Sequence, residues 1–143
     1  MTRGVHSSLR VPANLEAVGF VRSALACLLT RERWWGEGAG RVLLASTEAL
    51  TNAIEHGSPL GGSIDVDVSV AEGLVRIRVA DEGRPGAPLP SIPSAPPPPA
   101  STRGRGLLII GRLADEVEIT RSGAGTAIVV TFLPPAMQAA RAA

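Results

Sequence analysis

A carboxylate and an amide stand four residues apart in one helix-forming stretch of the chain. They are Glu48 and Asn52, within residues 48–57, which read EALTNAIEHG. Residues at positions i and i+4 stack on one face of a helix, and Glu55 falls on the same face. A carboxylate can accept the proton of an attacking hydroxyl, and an amide oxygen can bind Mg²⁺. The spacing therefore predicts a magnesium-nucleotide site on this face.

The opposite face of the same stretch is apolar. It carries Leu43, Leu50 and Ile54, which we expect to be buried. The helix is predicted to run over about 41–56 and to stop at Gly57. A helix that buries its apolar face in this way presents its carboxylate and its amide to a ligand.

Two further segments are suited to hold a purine. Asp81 and Gly83 follow a predicted strand, where the carboxylate can accept a hydrogen bond from an amino group such as adenine N6. The glycine, which lacks a side chain, lets a flat base approach. Gly125 and Thr126 open the last predicted strand, where the threonine hydroxyl could contact the base directly or through a water. Each segment alone is also a common turn, so neither identifies a site by itself.

Residues 103–107, Arg-Gly-Arg-Gly-Leu, lie at the start of a predicted helix. Gly104 and Gly106 would leave backbone N–H groups available to a phosphate, and the helix dipole favours an anion there. Arg103 and Arg105 add positive charge. Taken alone, the same residues are equally typical of a flexible hinge with a solvated arginine pair.

The composition excludes several kinds of site. All 14 basic residues among the 143 are arginine, and a chain without lysine has neither a P-loop lysine nor a Schiff-base lysine. The net charge of +1 gives no electrostatic footprint for nucleic acid or for a membrane surface. No apolar run approaches the roughly 18 residues of a membrane span. The N-terminal residues do not resemble a signal peptide, so we expect a cytoplasmic protein.

Hydrophobic periodicity predicts the elements that must position these residues. The predicted strands are 5–11, 63–70, 74–80, 116–121 and 125–133, and the predicted helices are 14–30, 41–56 and 105–114. Their order predicts an α+β fold, a two-layer α/β sandwich. Its sheet would be mixed but mostly antiparallel, with about three helices on one face. Residues 1–135 would form a single domain and residues 136–143 a flexible tail.

The second and third strands are predicted to form a hairpin that turns at residues 71–74. Matching of the apolar faces places Val70 opposite Val75 and Asp67 opposite Arg78. The register follows because both strands alternate apolar and polar side chains with a period of two.

Regular periodicity is lost over residues 81–104. Eight of the twelve prolines fall between Pro85 and Pro99. This composition alone is typical of a disordered insertion. Its position between two candidate nucleotide segments favours a lid, residues 84–103, that orders over a ligand.

Three aromatic side chains lie near these segments. His56 precedes the glycine that ends the second helix and is predicted to cap that end or to pack beside it. Trp34 and Trp35 fall between the first two helices, where we expect core packing, although a tryptophan pair can also anchor a protein partner.

Considered together, the candidate segments resemble the four nucleotide-binding motifs of the GHKL ATPase superfamily, to which gyrase and the histidine kinases belong. The N, G1, G2 and G3 boxes of that superfamily match Glu48-x-x-x-Asn52-Ala53, Asp81-x-Gly83, Gly104-x-Gly106-Leu107 and Gly125-Thr126. Within the superfamily, residues 46–57 and 103–118 most resemble the small bacterial anti-sigma-factor serine kinases. The similarity covers about residues 10–133.

The resemblance implies a Bergerat-type fold that holds ATP and Mg²⁺ between helices and sheet. Asn52 would then bind the metal, and Asp81 would bind the adenine. Gly104 and Gly106 would line the phosphates, and Glu48 would be the base for the attacking hydroxyl. The other nucleotide contacts in the predicted set are Gly83, Arg103, Arg105, Leu107 and Thr126.

The resemblance also implies a role: a serine kinase that phosphorylates an antagonist protein and sequesters a sigma factor, as a homodimer. Two other roles stay open. One is a nucleotide-binding partner-switch module without phosphotransfer, and the other is the catalytic domain of a histidine kinase that acts on a phosphoacceptor in another chain. Residues 84–86, Arg-Pro-Gly, depart from the superfamily pattern, in which a glycine often follows Gly83 sooner.

Overall fold

The computed structural model describes residues 4–96, 98 and 105–143. Its elements in chain order are β1 (Val5–Pro12), α1 (Glu16–Arg31), α2 (Gly36–Asn52), a π-turn (Ala53–Gly57), β2 (Ser63–Ala71), β3 (Leu74–Asp81), α3 (Arg105–Leu113), β4 (Glu116–Ser122), β5 (Gly125–Phe132) and α4 (Pro135–Ala142). None of the helices in these residues combines the length and the apolarity needed to cross a bilayer.

The five strands form one sheet in the order β1-β2-β3-β5-β4. Every neighbouring pair is antiparallel, so the α+β class is confirmed and the expected mixed sheet is wrong for the described strands. The predicted hairpin register is confirmed, because Val70 pairs with Val75 and Asp67 with Arg78.

The two faces of the sheet differ sharply in polarity. The inner face is packed under α1 and α2 with fully buried side chains such as Val66, Ile77 and Phe132. The outer face carries charged pairs, including Arg78 with Asp67 at 3.5 Å. Such exposed pairs contribute only about 0–1 kcal/mol each. Burial of the inner face, at roughly 1.5–3 kcal/mol for each large apolar side chain, is therefore what fixes the helices on that side.

Helix α2 packs on a different stripe from the predicted one. It begins at Gly36, earlier than expected, and its innermost residues are Val42, Ala45 and Ala49. Leu50 is buried as predicted, but Leu43 and Ile54 are only half-buried. The reason is that small alanine side chains let the helix lie close to the sheet, and a pattern read from large apolar residues gives them too little weight.

The two tryptophans have different environments. The Trp34 ring is buried, and its indole N–H donates to the Gly73 carbonyl oxygen at 3.1 Å. Trp35 is 65% exposed at the start of α2. The prediction of core packing is therefore confirmed for Trp34 and wrong for Trp35, because the backbone turns outward between them.

Most of the predicted flexible tail, residues 136–143, lies in helix α4, none of whose residues is buried. Pro135 at its first turn has a φ already suited to a helix, and the alanines that follow favour helix. The Gln138 side-chain amide donates to the Leu133 carbonyl oxygen at 2.9 Å. The Asp115 carboxylate accepts the Leu133 backbone N–H at 2.8 Å, which fixes the entry to α4.

Candidate functional site

A cavity of about 600 Å³ opens between α2, the π-turn, the end of β3 and the start of α3. Every described member of the predicted nucleotide set lines it: Glu48, Asn52, Asp81, Gly83, Arg105, Gly106, Leu107 and Thr126. Arg103 and Gly104 lie outside the described residues. Residues from four separate parts of the chain therefore share one cavity.

Helix α2 supplies the carboxylate and the amide on one side of the cavity. Glu48 and Asn52 both line it, one helical turn apart. The start of α3 lies directly against this pair. A Cβ atom on Gly106 would come within 3.0 Å of Glu48 Oε2, so a glycine at this position leaves the carboxylate its space.

The π-turn extends the polar side of the cavity beyond α2. It spans Ala53–Gly57, and both Glu55 and His56 line the cavity. Their side chains are more than half exposed, with His56 Nε2 3.7 Å from Glu55 Oε2. The sequence predicts that His56 caps the helix end or packs beside it, whereas its side chain is more than half exposed in the cavity wall. The wider turn, of a kind frequently found at functional sites, re-aims the residues that follow Asn52.

Asp81 lies at the opposite end of the cavity, where β3 ends. Its Oδ1 accepts the backbone N–H of Thr126 at 3.0 Å, which orients the carboxylate. Two glycines, Gly57 and Gly125, lie directly against it, and a third, Gly83, packs beside Gly125. A Cβ atom on Gly57 would lie 2.1 Å from Asp81 Oδ2, and one on Gly125 would lie 2.0 Å from the Asp81 backbone oxygen. On Gly83, whose φ is +81°, a Cβ atom would lie 2.0 Å from the backbone oxygen of Ala124.

Hydrogen bonds next to Asp81 join the residue that follows the π-turn to the start of β2 and to the residue that follows β3. Ser58, only 1% exposed, donates from Oγ to the Ser63 carbonyl oxygen at 2.9 Å and accepts the Glu82 backbone N–H at 3.1 Å. The Glu82 carboxylate accepts the Ser63 hydroxyl and backbone N–H at 2.6 and 2.9 Å. These two bonds, the hydroxyl's first, lower the pKa of Glu82 below its ordinary value. The strand end that carries Asp81 is therefore held to the end of the helix that carries Asn52.

The nucleotide-binding set predicted from the sequence does not include two arginines of the cavity wall. Arg84 donates from Nη2 to the carbonyl oxygens of Glu55 and Ser58, both at 3.2 Å. Arg121, on β4, donates from Nη2 to the Ala87 carbonyl oxygen at 3.0 Å. Both arginines line the cavity. A signal for Arg121 exists in the sequence, since it takes the next inward position after Val117 and Ile119.

The described part of the predicted lid, residues 84–96, runs along the mouth of the cavity without forming helix or strand. Ala87, Pro88 and Pro90 line the cavity wall. Further along, Ile92 contacts α3 so closely that a Cβ atom on Gly111 would come within 2.7 Å of its Cγ2. The first half of the Pro-rich segment therefore packs against the candidate site.

The donor set of the cavity suits a magnesium-nucleotide. The oriented carboxylate of Asp81 can accept a hydrogen bond from an amino group. The space around it is lined by glycines and has no room for a further side chain. Three arginines, Arg84, Arg105 and Arg121, give the cavity positive charge suited to phosphates. Mg²⁺ commonly takes only one or two protein oxygens, with waters and phosphates supplying the others, so the amide oxygen of Asn52 alone would suffice as a protein ligand.

Comparison with known proteins gives one family. Residues 11–132 match the family model of the histidine kinase-like ATPase domain. The chain is 28% identical over 134 residues to the serine-protein kinase RsbW of Bacillus subtilis, covering 87% of this chain and 84% of that protein. It is 29% identical over 132 residues to the serine-protein kinase RsbW of Bacillus velezensis, covering 86% of this chain and 82% of that protein.

A solved structure has the same fold. It is the crystal structure of the RsbU and RsbW domains of a Mycobacterium tuberculosis protein, which matches with a TM-score of 0.60 and 23% identity. The match covers 88% of this chain but only 32% of that longer chain. This likeness concerns the arrangement of the elements alone.

Proposed function

Because the chain belongs to the family of histidine kinase-like ATPase domains, we propose that it binds ATP with Mg²⁺ and phosphorylates a serine of a partner protein. One observation carries the proposal. A single cavity collects the carboxylate and amide of α2, the aspartate at the end of β3 and the glycine at the start of α3. The likeness to two serine-protein kinases named RsbW supports serine as the acceptor.

The adenine end of the site is Asp81. Its Oδ1 is oriented by Thr126, and the carboxylate can accept the amino group at adenine N6. Guanine has a carbonyl oxygen at the corresponding position, and two acceptors facing one another repel. The site therefore favours adenine over guanine. Thr126, itself 9% exposed, adds a hydroxyl beside the same edge of the base.

The phosphate end of the site lies between Asn52 and the start of α3. Asn52 would hold Mg²⁺ through its amide oxygen, and the metal would supply neutralisation of the phosphate charge. Gly106 allows the backbone at the start of α3 to approach, and Arg105 adds positive charge at the same place. These groups position the γ-phosphate, which is most of what phosphoryl transfer asks of a protein.

The acceptor step needs a base, and Glu48 is the carboxylate beside the phosphate end. It would accept the proton of the serine hydroxyl as the serine oxygen bonds to the γ-phosphorus. The bond from that phosphorus to the bridging oxygen breaks at the same time, and ADP leaves. Glu48 lies 3.0 Å from where a Cβ atom of Gly106 would be, so any larger residue at 106 would crowd the base.

The biological role that we propose follows the same relatives. The phosphorylated partner would be an antagonist protein, and the kinase, as a homodimer, would sequester a sigma factor when that antagonist is modified. The chain spans more than four-fifths of each of the two Bacillus relatives, and this extent supports a shared role. The metal and the cytoplasmic location belong to the same proposal.

A substitution of Glu48 by glutamine tests the function. Glu48→Gln keeps the size of the side chain and removes the base, so phosphate transfer from labelled ATP to a serine-bearing antagonist should fall by about a hundredfold or more. ATP affinity, measured by calorimetric titration, should stay within about twofold. Transfer that persists in the variant would overturn the assignment of the base. Binding of ATP by wild type without any transfer would instead favour a partner-switch module that only holds nucleotide.

A further inference from the structure

Arg121 lies two strands away from Asp81, at the same end of the sheet. It pairs with Thr126 across β4 and β5, and the Thr126 backbone N–H is bonded to Asp81. Asp81, Thr126 and Arg121 therefore occupy adjacent strands at one end of the sheet. Neighbouring strands lie about 4.8 Å apart, which places the Arg121 backbone about 10 Å from that of Asp81. An arginine at this distance is beyond the edge of a base held at Asp81.

The same arginine lies near the start of α3. Helix α3 ends at Leu113 and β4 begins at Glu116, so a short connection turns the chain back along the sheet. The far end of β4 thereby returns to where α3 begins, and Arg121 lines the same cavity as Arg105 and Gly106. Arg121 thus shares the cavity with the groups that we assign to the phosphates.

The guanidinium of Arg121 also contacts the lid. Among the described residues, its one hydrogen-bond partner is the Ala87 carbonyl oxygen, at 3.0 Å. A guanidinium carries five N–H donors in a rigid fork that suits two acceptors at once, and phosphate is one of its preferred partners. One side chain can therefore hold the lid and a phosphate together.

We propose that Arg121 is a specificity-determining residue that binds the phosphate chain of the nucleotide while it holds the lid at Ala87. The inference rests on the proposed function, since it assumes that a nucleotide occupies this cavity. It assigns Arg121 a task that none of the sequence motifs gives it: discrimination of nucleoside di- and triphosphates from the bare nucleoside. The lid would be held most firmly when a phosphate orders the same guanidinium.

The test compares ATP, ADP and adenosine by calorimetric titration in wild type and in two variants. Arg121→Gln removes the charge but keeps an N–H donor for the Ala87 carbonyl, and Arg121→Lys keeps the charge but removes the fork. In Arg121→Gln we expect ATP and ADP affinity to fall about tenfold or more, because a charge-assisted bond is lost. Adenosine affinity should stay within about twofold. Arg121→Lys should fall between wild type and Arg121→Gln.

The matched control is Arg76→Gln. Arg76 is an exposed arginine on the outer face of the sheet, 4.0 Å from Glu118, so the variant removes the same charge without touching the cavity. It should bind all three ligands as wild type does. An equal loss for all three ligands in Arg121→Gln, or no loss for any, would overturn the phosphate contact while leaving the proposed function intact. A wild-type protein that binds neither ATP nor ADP would overturn the proposed function and this inference with it.

Discussion

Substitution of Gly57 by alanine should displace the side chain that we assign to adenine. Gly57 ends the π-turn, and a Cβ atom there would lie 2.1 Å from Oδ2 and 2.3 Å from Cγ of Asp81. These distances are far inside van der Waals contact, so the carboxylate must turn away. It then loses the backbone N–H of Thr126, now 3.0 Å from Oδ1, and its alignment with the base.

The size of the effect follows from the bonds that are lost. A hydrogen bond to a charged group contributes about 1.5–3 kcal/mol, so ATP affinity in Gly57→Ala should fall by roughly 10- to 150-fold. Preference for ATP over GTP should fall with it, because we assign the distinction between the two bases to Asp81. The extra methyl also overpacks a tight contact, which lowers the free energy of unfolding by about 1–3 kcal/mol.

The assay is calorimetric titration with ATP and GTP beside thermal unfolding of the same samples. Gly19→Ala is the control: Gly19 is within α1, and a Cβ atom there meets nothing within 4 Å. This control should bind ATP normally and gain about 0.5–1 kcal/mol of stability. A folded Gly57→Ala protein with wild-type affinity and the wild-type preference for ATP would refute the assignment of Asp81 to adenine.

Two further predictions concern the supports of the site, and a third concerns the packing of the core. Ser58→Ala leaves the Glu82 backbone N–H without its buried partner, so the free energy of unfolding should fall by about 1–3 kcal/mol in denaturant titration; an unchanged midpoint would contradict this role. The lowered pKa of Glu82 means that its stabilising effect is present above the ordinary value of 4.5 and is lost as pH falls through the lowered value. Melting temperature against pH should therefore decline less on the acid side in Glu82→Gln, and parallel curves would argue against it. Trp34→Phe keeps an aromatic side chain in the core but removes the bond to Gly73 and leaves space where the larger indole packed, so thermal unfolding should show a loss of at least about 1 kcal/mol; an unchanged melting temperature would contradict this.

The hairpin register and the polar face of α2 could be predicted, because the spacing of residues along the chain determines which side chains share a face. Alternation with a period of two fixes which side chains share a face, so the pairing of Val70 with Val75 followed directly. A separation of four residues likewise places Glu48 and Asn52 on one face of a helix, and both line the cavity.

Other features leave little trace in side-chain identity. The burial of Ala45 and Ala49 depends on how closely α2 approaches the sheet, and helical periodicity alone does not distinguish small apolar residues from exposed alanines. The predicted lid accepts its hydrogen bond from Arg121 at the Ala87 carbonyl oxygen, a group which every residue type possesses. Arg121 is the exception, because a charged residue that follows Val117 and Ile119 in an apolar alternation marks a site that solvent or a ligand must fill.

The π-turn allows the cavity wall to change through a change in chain length, which side-chain substitution does not provide. Deletion of one residue within Ala53–Gly57 would let an ordinary α-helical turn form there. Each residue of an α-helix accounts for a rotation of about 100°, so Glu55 and His56 would swing to new directions while Asn52 kept its own. The sheet and the Glu48–Asn52 pair would survive such an edit, and the part of the cavity wall formed by Glu55 and His56 would be rebuilt. A change of length at this single point can thus alter which side chains line one wall of the cavity.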